Sequence, residues 1–292
     1  MLLVAFVIGT IGVSTVLHQG VSVPGVGLVK SSGSAHAADA TELATAEPAS
    51  PAALALPNPL PTRTLRVPIL MYHRVATLWG DEPAITVNLT VEPQEYGLQM
   101  QWLKDQGYTT VTQLQLFNAL MHGAELPAKP IMITFDDGYR GIVTNAAPVM
   151  QRLGMTGTAY VVTDRIAENP KTAPTWMTWP QLKLLERRGW DIGSHTVSHR
   201  ELPSLSHDEA LKQLRQSRFA LEHHLRHPVQ WFCYPAGRLD ASSVELVREA
   251  GYVLATTTQS GVEHSASDPL RLTRVRISNS TGVRGLAAAL ST

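Results

Sequence analysis

The 292-residue chain balances 24 Lys and Arg against 24 Asp and Glu, and no basic run of five or more occurs. The electrostatic footprint of a nucleic-acid binder is therefore missing. Its one cysteine, Cys233, excludes an intrachain disulfide framework and a cysteine-based zinc cluster, and it leaves the compartment open.

Leu2 to Leu17 is apolar or small throughout, and no charged side chain precedes Lys30. That is long enough to span a bilayer if tilted. Ala35-His36-Ala37 supplies a small-x-small pattern, but it lies far from the apolar run and the basic start of a secretory signal is missing. Residues 1–36 are thus expected to be a signal peptide or an uncleaved signal anchor. Membrane contact is expected through this segment alone, with the rest exported to the periplasm or cell envelope. Residues 37–64 are rich in Ala, Pro, Thr and Ser, including Pro48, Pro51, Pro57, Pro59 and Pro61. A segment of that composition is expected to bury too little surface to order itself and to act as a tether.

One folded domain is expected over residues 65–292. Val67 to Tyr72 reads as a strand delivering His73 and Arg74. Tyr96, Met100 and Leu103 recur at helical spacing between Glu92 and Gln106, and Gly107 stops that helix. A short strand over Tyr108 to Val111 and a helix to His122 follow. Pro130-Ile131-Met132-Ile133-Thr134-Phe135 then runs straight into Asp136-Asp137-Gly138, a buried strand ending in two carboxylates. A helix over Ile142 to Leu153, a strand over Gly157 to Val162, a helix over Trp179 to Arg188 and a strand over Trp190 to Gly193 come next. Ser206-x-x-Glu209 reads as a capping box opening a helix striped with Leu211, Leu214, Leu221 and Leu225. The remainder reads as a strand (Val229 to Tyr234), a helix (Ala241 to Ala250) and two strands (Val253 to Thr257, Leu270 to Ile277). This alternation predicts a parallel sheet with covering helices, either a barrel or a doubly wound sheet.

Chemistry concentrates after the predicted strands, as it does at the carboxyl ends of parallel strands generally. Asp136 and Asp137 can share a pocket only if the backbone leaves the strand between them, and Gly138 permits the turn. His195 and His199 stand at i and i+4, a spacing that lets one helical turn present both imidazoles to a divalent metal. Two His and one carboxylate make a three-ligand set with open positions. Each pattern has a plain reading as well: a surface Asp-Asp-Gly turn, and a solvated His pair.

Thr134-Phe135-Asp136-Asp137-Gly138, His195-x-x-x-His199 and Phe232-Cys233-Tyr234-Pro235-Ala236-Gly237, in that order, resemble the polysaccharide deacetylase family of carbohydrate esterases, over roughly Leu65 to Ile277. The resemblance implies a distorted (β/α) barrel as a single catalytic domain. It also implies a divalent metal, with zinc favoured by the donor set, and removal of N-acetyl or O-acetyl groups from a polysaccharide. By resemblance Asp136 is the general base, and Asp137, His195 and His199 are the metal ligands. The oxyanion donor is the backbone N–H at Ala236.

Two departures stand out. Cys233 takes the place of an arginine that orients the base in many members, so Arg274 is the candidate for that task. No late Leu-x-x-His motif follows Leu270, so His73 is the candidate acid, resembling the branch that deacetylates poly-N-acetylglucosamine exopolysaccharide. The expected partner is an acetylated polysaccharide, and no protein partner is implied. An O-acetyl esterase acting on acetylated glycan and a non-catalytic glycan-binding relative are the rival readings.

Overall fold

The computed structural model describes residues 53–291 except 170, 172 and 173. The expected signal or anchor over 1–36 lies outside the described residues, as does the first part of the expected linker. Among the described residues no helix is long and apolar enough to cross a membrane.

Also among the described residues, seven parallel strands close on themselves. They are β1 (Ile69–Tyr72), β2 (Pro130–Phe135), β3 (Thr158–Val161), β4 (Asp191–Ser194), β5 (Trp231–Cys233), β6 (Leu254–Ser260) and β7 (Leu272–Arg276). Each strand pairs with its neighbours in chain order, and β1 closes the ring by pairing with β2 (Leu70 with Ile133) on one side and β7 (Leu70 with Val275) on the other. The barrel is therefore the correct choice over the doubly wound sheet. Strands covered on both faces explain the continuous apolar runs: Ile131 to Phe135 are all buried, and the Phe135 ring stacks on Tyr72 at 5.5 Å and Trp190 at 5.4 Å.

The helices are α1 (Ala84–Leu89), α2 (Pro93–Asp105), α3 (Gln113–His122), α4 (Ala147–Arg152), α5 (Trp179–Arg187), α6 (His207–Leu225), α7 (Ala241–Glu249) and α8 (Gly282–Ser291). Reciprocal caps start α3 (Thr112 with Gln115) and α5 (Thr178 with Gln181). Ser206 starts α6 by accepting from the Glu209 N–H at 3.4 Å, and Leu214, Leu221 and Leu225 of its stripe are buried.

Three expectations are corrected. The helix read over Ile142 to Leu153 opens as a π-helical turn, Ile142–Ala146, and becomes α-helical only at Ala147. Pro148 sits in the first turn of α4, where its missing N–H is tolerated while the preceding turn widens. The His195–His199 pair is not on a helical turn, because the chain bends irregularly after β4, with Thr196 at φ 68° and His199 at φ 62°. Gln213 of α6 ties this loop down, its Oε1 accepting from the Val197 N–H at 3.1 Å and the Ser198 N–H at 3.0 Å.

The end of the expected tether is also ordered on the barrel. Leu54 exchanges hydrogen bonds with Gln230, N to Oε1 at 2.6 Å and Nε2 to O at 2.8 Å. Leu54, Leu56 and Leu60 pack on a cluster that includes Val67, Ile69 and Leu254. Arg63 donates to the Ala119 and Leu120 carbonyls near the end of α3. Leucines spaced between prolines supply apolar surface that average composition conceals.

Candidate active site

Because all seven strands are parallel, their carboxyl ends form one rim. At β2 the Asp136 N–H still donates to the Tyr72 carbonyl at 3.0 Å, continuing the ladder, and the chain then turns through Asp137 at φ 75° and Gly138 at φ 86°. A left-handed aspartate is an uncommon and mildly strained conformation. Here it turns the second carboxylate to the same cavity as the first.

Asp136 is 2% exposed and Arg274 is fully buried inside the barrel. Arg274 Nη1 donates to Oδ1 at 2.8 Å and Nη2 to Oδ2 at 2.7 Å. The same guanidinium donates through Nε to the Thr257 carbonyl at 2.7 Å and through Nη1 to Thr134 Oγ1 at 3.1 Å, so its plane is fixed from β2 and β6. Cys233 Sγ lies 3.2 Å from Nη2 and 3.5 Å from Asp136 Oδ2, filling the space beside the pair. Burial alone would raise the Asp136 carboxyl, but Arg274, helped by His73 and His195, outweighs it and holds the group well below the usual carboxylate range.

Asp137 faces both imidazoles of the bent loop, Oδ1 lying 3.9 Å from His195 Nε2 and 3.3 Å from His199 Nε2. His195 Nδ1 pairs with the Cys233 carbonyl at 2.7 Å, so Nε2 is the nitrogen left to face Asp137. One oxygen and two nitrogen donors of these residues lie within 4.8 Å of one another. This donor set fits a divalent ion with open positions, and the expected ligands Asp137, His195 and His199 would hold it. Asp136, His195 and Cys233 form a second such grouping, whose carboxylate and thiol both lie against the Arg274 guanidinium.

His73, after β1, places Nε2 3.9 Å from Asp136 Oδ2, and its buried Nδ1 has no hydrogen-bond partner. Burial draws its pKa below the ordinary value, with Asp136 and Asp137 pulling it back. Ala236 sits at φ 52° in the turn after β5, and among the described residues its N–H donates to no protein acceptor. These side chains line one cavity of ≈ 300 Å³, shared with Tyr234, Thr258, Arg276 and, on α1, Ile85 and Leu89.

Arg165 was not anticipated. It follows β3 in a short 3₁₀ turn and donates to Asp137 Oδ1 at 2.8 Å. Nothing in its spacing sets it apart from other loop arginines; only its place after a barrel strand is a signal. Trp176 stacks on Tyr139 at 4.6 Å beside the site, whereas Trp179 stacks on His224 and Trp231, at the amino end of β5, packs into the core.

Fold and rim together define an α/β barrel whose carboxylates and imidazoles converge at the carboxyl ends of its strands. Residues 123–255 match the family model described as Polysaccharide deacetylase, so the chain carries a polysaccharide deacetylase domain. It is 29% identical over 213 residues to YxkH of Bacillus subtilis, covering 73% of this chain and 72% of that protein. It is 25% identical over 201 residues to the poly-beta-1,6-N-acetyl-D-glucosamine N-deacetylase of Staphylococcus epidermidis, covering 66% and 69%. The Streptococcus pyogenes deacetylase PplD, solved in complex with acetate, superposes with a TM-score of 0.69 at 28% identity over 78% of this chain and 99% of that one.

Proposed function

We propose that this protein is a metal-dependent hydrolase that removes N-acetyl groups from a glucosamine-containing polysaccharide, either an exopolysaccharide or a cell-wall glycan. The observation that carries this reading is the adjacency of two differently prepared carboxylates: Asp136, clamped by Arg274, and Asp137, facing two imidazoles, with His73 beside them in one cavity. Similarity to the staphylococcal N-deacetylase supports an amide substrate.

An acetamide is a poor electrophile and water a poor nucleophile. A divalent ion at Asp137, His195 and His199, for which zinc suits the mixed N and O donors, would polarise the acetyl carbonyl and lower the pKa of a water to about 7. Asp136 takes that water's proton. Each carboxylate oxygen has two acceptor positions, so the grip of Arg274 orients the group without exhausting it. The N–H of Ala236 donates to the oxygen that gains charge as the carbonyl becomes tetrahedral, a contact worth ~3–4 kcal/mol when well placed. Collapse must expel an amine rather than an amide anion, and His73 supplies the proton to the nitrogen.

Acetate release is to be measured on a panel of N-acetylated and O-acetylated glycans with and without a chelator. Chelator-sensitive release from N-acetylglucosamine polymers is expected. Release from O-acetylated glycans alone would make the protein an esterase, and binding without release a glycan-binding relative. Such polymers lie outside the cytoplasm, so export follows: residues 1–66 fused to a reporter active only after translocation should give signal, and a cytoplasmic reporter rejects it.

A further inference from the structure

A second cavity of ≈ 360 Å³ is lined among others by Arg74, Val75, Tyr139, Gly141, Thr144 and Asn145. Its lining is close in sequence to that of the catalytic cavity, since Arg74 directly follows His73 and Tyr139 lies two residues beyond Asp137. The Arg74 guanidinium sits 5.0 Å from the Tyr139 ring centroid, Tyr139 stacks on Trp176 at 4.6 Å, and Arg165 covers the far face of that pile, 4.7 Å from the Trp176 ring.

Arg74 is thus positioned by an aromatic face rather than by an acid, and among the described residues it forms no ion pair. A guanidinium carries five donors in a rigid fork, and contact with the Tyr139 ring and hydroxyl leaves part of that edge available. The neighbouring polar groups are committed elsewhere: Asn145 Nδ2 donates to the Val75 carbonyl at 2.7 Å, and Thr144 Oγ1 to the Arg140 carbonyl at 3.4 Å. Among the described residues no Asp or Glu lines the cavity. Glu82, an acid near enough to be influenced by Arg74, accepts from the Trp79 and Gly80 N–H groups at 2.8 and 3.0 Å, and among the described residues it forms no ion pair with Arg74. Gly141 lets the Val75 carbonyl pack closely, because a Cβ there would collide with it. On the catalytic side Arg276 lines the pocket and donates to the neutral Asn88 at 3.3 Å.

We propose that the Arg74–Tyr139 cavity is a subsite for an anionic substituent, a carboxylate or a phosphate, carried by the glycan chain whose acetylated sugar occupies the catalytic pocket. The inference rests on the deacetylase reading and narrows its substrate. A sugar bearing an anion next to the acetylated one gains a charge-assisted contact with Arg74, whereas a sugar already bearing a free ammonium group meets a cationic wall.

The full-length protein is to be assayed on three acetylated oligosaccharides of equal length: a neutral N-acetylglucosamine oligomer, one with lactyl-ether carboxylates on alternate sugars, and one with 6-phosphates. An anionic oligomer is expected to exceed the neutral one in kcat/KM by about tenfold, the scale of one charge-assisted hydrogen bond, and whichever anion wins identifies the source. Arg74→Gln should bring the ratio to about one, and Arg74→Lys should keep part of it. Added salt should erode the wild-type preference, a readout that stands even if the Gln variant fails to fold. Equal kcat/KM on all three oligomers, or a preference that survives Arg74→Gln, overturns the proposal. Calorimetric binding of the same oligomers separates it from the catalytic reading: anion-selective binding with no acetate release removes the deacetylase function and leaves the subsite, and release without selectivity does the reverse.

Discussion

Arg274 grips Asp136 through two parallel hydrogen bonds, Nη1 to Oδ1 at 2.8 Å and Nη2 to Oδ2 at 2.7 Å, across 138 residues of sequence and inside the closed barrel. Both groups are buried, so the pair orients a charged carboxylate that the barrel interior would otherwise neutralise. In place of an arginine on β5, the chain has Cys233 there and sends the guanidinium from β7.

The grip predicts a stability effect. Arg274→Gln leaves Asp136 buried with its principal cation gone, and a loss of ~3–5 kcal/mol is expected in urea unfolding. Adding Asp136→Asn should recover part of that loss, because the unpaired charge disappears with it. A single variant as stable as wild type shows that the pair contributes nothing to the fold.

The same pair sets an acid limit. Asp136 is held below its ordinary value, so its contribution to stability is complete above the unfolded carboxyl pKa of ~4 and fades as pH falls below that. The unfolding midpoint of wild type should drop in this range more steeply than that of Asp136→Asn. At neutral pH that variant should keep bound metal and lose turnover, since the amide cannot accept a proton. Near-normal turnover assigns the base elsewhere.

Metal binding depends on Asp137, His195 and His199 by this reading. Elemental analysis of purified protein should find one divalent ion, and the His195→Ala, His199→Ala double variant should lose it together with activity. Unchanged occupancy in the double variant sinks the assignment.

His73 should matter in proportion to the leaving group's need for a proton. His73→Ala is expected to keep metal and fold and to lose acetamide hydrolysis by ~10²–10⁴-fold, while an activated acetate ester is spared. In wild type the imidazole, drawn below its ordinary pKa by burial, is protonated only toward lower pH. The amide rate should therefore fall as pH rises, on a limb absent from the variant. Equal losses on both substrates leave His73 a positioning residue.

Much of the architecture was legible because it is local. Apolar runs of four to six residues bounded by glycines marked the strands, and the run into Asp136-Asp137-Gly138 identified β2 with its carboxylates at the exit. Boundaries moved by a few residues, as at β5, read as Val229 to Tyr234 and observed as Trp231–Cys233, because strand ends are defined by partners rather than by propensity. The leucines of residues 54–60 were hidden within a proline-rich composition whose average says nothing about which side chains meet a surface.

The sequence by itself determined the order of strands and helices, the carboxylates and imidazoles available, and their places just after strands, because hydrophobic period and turn chemistry act over a handful of residues. Tertiary structure alone decided that β1 pairs with β7 and closes the barrel, that Arg165 reaches Asp137, and that His195 and His199 meet Asp137 through a bent loop instead of a helical turn. Those outcomes depend on strand pairing across long stretches of chain and on desolvation inside the closed barrel, and neither is encoded in the spacing of neighbouring residues.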